Sequence, residues 1–146
     1  MLQMTSKAKL DSDYNYDFQL LGLVSSVKEY VLAWHFNQSS ILHFAKAPDI
    51  QIEFKQNARI LISNFLFESE FVHVLLLRNR LVSSNTKLNR YLLPELQNFD
   101  YLIKFQSEVD EPNVQDVLEL ARAISVVQYV TKIEIDQIKS KENLLF

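Results

Sequence analysis

The chain has 146 residues, 48% of them hydrophobic and 12% aromatic, with a formal net charge of −3. A chain of this size and apolarity can bury a sizeable core in one domain, and its charge argues against broad polyanion binding. With no Cys, disulfides, thiolate chemistry and Cys-ligated zinc are excluded, and the single Gly, Gly22, leaves no Gly-rich phosphate loop or nucleophile elbow.

Residues 1–13 read as a flexible polar N-terminal arm, and 14–146 as a single α+β domain. The arm has no apolar run of the secretory kind and no stretch reaches membrane-spanning length, so a cytoplasmic protein without membrane association is expected. Asp17 to Val24 turns apolar and predicts a strand. Ser26-Val27-Lys28-Glu29 then has the form of a capping box. Val27, Tyr30, Val31 and Trp34 follow at helical spacing, predicting a helix from Val27 to Asn37 with that face buried. Leu32 and Phe36 lie off this face, where they either widen the buried stripe or form a docking surface.

Ile41–Ala45 and Ile50–Phe54 read as strands about a turn at Pro48-Asp49. Ala58–Phe67 and Phe71–Arg78 predict a hairpin joined at Glu68-Ser69-Glu70, apolar on both faces and therefore central in its sheet. Arg80 to Asn98 is a polar connection with a helical turn near Leu92–Leu96. Phe99, Tyr101, Ile103 and Phe105 alternate with Asp100, Lys104 and Gln106, the pattern of a half-buried strand. An amphipathic helix over Asn113–Ile124 buries Val114, Val117, Leu118, Ala121 and Ile124, and Val127 to Ile135 gives a closing strand.

The fold expected is thus α+β, two-layered, with a mostly antiparallel sheet and two main helices. Its C-terminal strand–helix–strand unit fits a β-α-β crossover between parallel neighbours. Two helices can cover one face of the sheet. The other would be covered by a second copy across a two-fold axis, or by the N-terminal arm, the 80–98 connection or the tail ending Leu144-Leu145-Phe146.

Leu93-Pro94-Glu95, three residues, then Phe99-Asp100-Tyr101 resembles the signature of the IPExxxVDY family of small bacterial proteins, with Leu93 for the Ile and Phe99 for the Val. Pro94, Glu95, Asp100 and Tyr101 match it outright, and the end of the chain, Lys139 to Phe146, is similar as well. The resemblance spans residues 14–146 and implies a pedigree without a reaction, since the family's role is uncharacterised. Read from the residues, Pro94 suits the first turn of a short helix and Glu95 its positive end. Alternation then turns Phe99 and Tyr101 inward and Asp100 outward beside Lys104. Glu95, Asp100 and Tyr101 either fix a turn-to-strand junction or perform acid/base work; the structural role is the one expected.

Between Phe71 and Pro94 there is no acidic residue, but Arg78, Arg80, Lys87 and Arg90 are all present. They form either a solvated loop or a grip on phosphate, RNA included, with Tyr91 available for stacking. His35, His43 and His73 lack metal-ligand spacing, and His73, among Val72, Val74 and Leu75, reads as a hydrogen-bonded core histidine. No catalytic residue, metal or cofactor is therefore expected. The leading expectation is a non-catalytic interaction protein acting as a homodimer or with a protein partner. An RNA-binding accessory protein using the basic 78–90 stretch, and an ACT-like ligand-sensing domain suggested by the C-terminal unit alone, are the alternatives.

Overall fold

A computed structural model describes residues 17–54, 58–81 and 91–146. The N-terminal arm, Lys87 and Arg90 lie outside the described residues. Strands β1 (Gln19–Val24), β2 (Ala45–Phe54), β3 (Ala58–Glu68), β4 (Val72–Arg78), β5 (Tyr101–Ser107) and β6 (Tyr129–Ile133) form one sheet in the order β2-β3-β4-β5-β1-β6. Every pairing in it is antiparallel. Helices α1 (Glu29–Asn37) and α2 (Val114–Ala123) lie on the same face, so the fold is a two-layer α+β one, as expected. None of the described helices is long and apolar enough to cross a membrane.

Alternation along the strands divides the core in two. On the helix side, Leu21, Leu23, Val74, Leu76, Tyr101, Ile103 and Phe105 meet Leu32 and Phe36 of α1 and Val117, Leu118 and Ala121 of α2. On the other side, Leu20, Ile60, Ile62, Leu75, Leu77 and Leu102 are covered by Leu81, Leu92 and Leu93, and by Ile138 and Leu144 of the C-terminal tail. The tail turns through two short 3-10 segments, Ile135–Gln137 and Lys141–Leu144. Of the hairpin expected to be central, β4 is interior and buried on both faces, whereas β3 lies second from the edge and leaves Leu61 40% exposed; the tail-side face is closed by the chain's own segments, which removes the reason to place a second copy there.

Helix α2 owes its start to Asn113, whose side chain accepts from the Asp116 N–H while Asp116 accepts from the Asn113 N–H. No such box forms at α1. Its N-cap is Lys28, with no side-chain cap, and Ser26-Val27 precede the helix. The buried face also differs from the expected one: Leu32, Ala33 and Phe36 point into the core, while Tyr30 and Trp34 are 60% and 58% exposed. Two apolar sets satisfied helical spacing. The choice is consistent with the anchoring of Glu29, which accepts from the Ser63 hydroxyl on β3.

Three further departures have local causes. β2 is one strand rather than two, because a register shift between Ala47 and Ile50 accommodates Pro48 and Asp49 within it. β5 and β6 do run parallel, but β1 is inserted between them, so the crossover joins strands that are not neighbours. Lys104 is buried on the tail side, donating to the Leu144 carbonyl at 2.7 Å with the Phe18 and Phe146 rings each 4.7 Å away. Burial pulls its ammonium below the ordinary lysine range, with Asp17 opposing. Gly22 is needed for close approach: a Cβ there would stand 2.6 Å from Ile133 Cδ1 and 2.8 Å from the Phe99 ring.

Candidate functional site

The segment from Leu92 to Tyr101 is held chiefly by a side chain that the motif does not contain. Asn79, fully buried just after β4, donates its amide to the carbonyls of Leu96 and Phe99, each at 2.9 Å, and accepts the Leu93 N–H at 3.0 Å. Its backbone accepts from Leu92 at 2.7 Å and donates to Asp100 O at 3.1 Å. A buried amide that answers three backbone groups fixes a loop as firmly as a strand ladder would. Nothing in the local sequence Arg78-Asn79-Arg80 announces this role, because the three groups served lie 14 to 20 residues away.

With that frame set, the motif residues divide between the two faces. Pro94 opens a 3-10 turn, Pro94–Leu96, at its first position. Glu95 Oε1 accepts both the N–H, at 3.1 Å, and the hydroxyl of Ser140, tying down the tail. Asp100 belongs to the helix side: its N–H donates to Leu23 O at 2.8 Å, and its Oδ2 accepts the Ser25 N–H at 2.9 Å. Tyr101 enters the helix-side core and donates its hydroxyl to Val27 O at 2.6 Å. Phe99 does not share that direction; it precedes the strand, lies over Gly22 and stacks on Tyr129.

Asp100 and Tyr101 thereby form the floor of a cleft of about 560 Å³. One wall is the turn from Ser25 into α1, ending at Lys28, Glu29 and Tyr30; the other carries Arg78, Arg80, Tyr91 and Gln97. The structure thus brings together two groups that the sequence keeps apart: half of the motif and the described part of the basic stretch. Glu95 is not among the residues lining the cleft. Arg78 is the register partner of Tyr101, so both side chains stand on the helix side. Burial pushes the Tyr101 hydroxyl up to about 12, with Glu29 reinforcing, Arg78 opposing and Asp100 adding to the shift. A phenol that is buried, bonded to a carbonyl and this weakly acidic is poorly placed for proton transfer at neutral pH.

The histidines stand elsewhere. His73 is partly exposed with Nε2 3.6 Å from Glu68 Oε2, an ion-pair position and not the core position expected. His35 packs edge-on against Trp34, and His43 lies near Phe67. Among the described residues no group of three or more His, Asp or Glu could hold a metal ion. The chain matches no family model, no curated protein and no solved structure.

Proposed function

We propose that this is a non-catalytic binding protein that acts through a protein partner, docking across the outer face of α1 and the basic rim of the cleft. The observation that carries the reading is the pair Tyr30 and Trp34, one helical turn apart and both more than half exposed, with Tyr30 itself lining the cleft that holds Arg78 and Arg80. Trp, Tyr and Arg are the side chains that dominate interface energetics, and here they share one surface. Lys28, Arg78 and Arg80 favour a partner segment that carries carboxylates. The motif residues support the reading by being occupied structurally: Glu95 with the tail, Asp100 and Tyr101 with the turn before α1. The resemblance to the IPExxxVDY family, carried by Pro94, Glu95, Asp100 and Tyr101, would extend the same surface to its members.

A second reading has its own observation, since Arg78, Arg80 and the stacking-competent Tyr91 line one cleft as single-stranded RNA binding requires. Photo-cross-linking in cells decides between them. A benzophenone side chain at Trp34, with exposed Glu119 on α2 as the control site, should give a protein adduct only from position 34. That adduct should be lost when Arg78 and Arg80 are both changed to Gln. Equal adducts from both sites would refute the interface, and adducts that vanish with nuclease would transfer the function to RNA.

A further inference from the structure

The cleft carries charges of both signs that do not neutralise one another. Lys28, Glu29, Arg78 and Asp100 all line it, and among these described residues no two of opposite sign approach within 4 Å. Flexible opposite charges on one surface ordinarily drift together, but here the two carboxylates are held in place by other groups. Asp100 is fixed through Leu23, Asn79 and Ser25. Glu29 is drawn down onto Ser63 by Oε1, and its Oε2 is buried with no hydrogen-bond partner among the described residues. Arg78 closes β4 opposite Tyr101.

We propose that the cleft binds a small zwitterion, a free α-amino acid with an apolar side chain being the form that fits its lining. The carboxylate sits at Arg78, whose planar fork can hold both oxygens. The ammonium sits at the opposite pole, against the Asp100 carboxylate and within the field of Glu29, both of which line the cleft. The side chain lies against Tyr30 and Tyr91, which line the same space. A simple anion would face the carboxylates of Glu29 and Asp100, and a simple amine would face Lys28 and Arg78; a ligand with both poles is matched by both sets. The site goes beyond the partner surface proposed above, because it uses the interior of the cleft and makes no use of Trp34.

The test is an amide-proton NMR titration of the full chain with phenylalanine and, separately, leucine. N-acetyl-phenylalanine, which lacks the ammonium, and phenylalaninamide, which lacks the carboxylate, are the controls. At least one free amino acid should produce saturable shifts confined to residues 25–30, 78–80 and 97–101, and the matched controls should bind about tenfold more weakly or not at all. Arg78→Gln and Asp100→Asn should each weaken binding by a similar factor, the introduced amide oxygen of Asp100→Asn still being able to accept the Ser25 N–H. Absence of saturable shifts with both amino acids would overturn the proposal, as would an N-acetylated control that binds as well as phenylalanine. The controls are read on the parent protein, so they decide the matter even if a variant folds poorly. Trp34→Ala should leave the titration unchanged, and a saturable titration without a partner adduct from position 34, or that adduct without a saturable titration, separates the failure of one proposal from that of the other.

Discussion

Tyr101 offers the sharpest test of how the motif works, because its two contributions to stability respond to different perturbations. Tyr101→Phe removes only the 2.6 Å bond to Val27 O and should cost about 0.5–1.5 kcal/mol near neutral pH. Tyr101→Ala also empties a site that is 5% exposed in the helix-side core and should cost about 3–5 kcal/mol. The pH dependence follows from the hydroxyl, raised from its ordinary value of 10.0 to about 12 by burial first and Glu29 second. Because the folded value lies above the unfolded one, this stabilisation is complete below pH 10 and is lost as pH rises through 12. At pH 11, midway through that window, the parent should have lost on the order of 1 kcal/mol as its unfolded-state phenol ionises, a loss the Phe variant does not suffer. Urea denaturation of both at about pH 8 and about pH 11 should therefore show the deficit of Tyr101→Phe shrinking to nearly nothing. Parallel losses in the two proteins would refute the buried, bonded hydroxyl, and a Tyr101→Ala variant as stable as the parent would refute its place in the core.

Asn79→Ala should be among the most damaging single changes outside the apolar core, about 3 kcal/mol, because it orphans the Leu93 N–H and the carbonyls of Leu96 and Phe99 together; denaturant midpoints check it. Glu95→Ala should cost only about 1 kcal/mol but should raise hydrogen exchange selectively in residues 138–146, since Glu95 bonds Ser140; a uniform rise across the sheet would contradict a local tether.

The parts of this fold legible in the sequence are those governed by short-range pattern. The β3–β4 hairpin, doubly apolar and joined at Glu68-Ser69-Glu70, and the α2 stripe of Val117, Leu118 and Ala121 appear where their periodicity puts them. The same local logic puts Pro94 at the first position of its turn and Tyr101 in the core. Where pattern is ambiguous, tertiary contacts decide. α1 offers two apolar faces, and the exposed one is that of Tyr30 and Trp34. Lys104 reads as a solvent-facing residue until the tail's Leu144 carbonyl and Phe146 ring are brought over it. The cleft is not legible because it exists only between segments far apart in the chain, at Lys28, Arg78 and Asp100. Asn79 is invisible for the same reason: its chemistry is ordinary, and only its neighbours are unusual.

The place of β1 between β5 and β6 has a consequence for how the molecule assembles. β2, β3 and β4 pair with sequence neighbours and can zip as soon as they meet, whereas Leu21 must find Ile103 on one side and Lys132 on the other. Long loops must close before those contacts return any free energy, which places the chain among the slower-folding α+β topologies. Until then Leu20, Leu21 and Leu23, all fully buried at the end, remain an unpaired apolar strand. That interval, rather than the folded state, is when this protein is most exposed to aggregation through a strand edge.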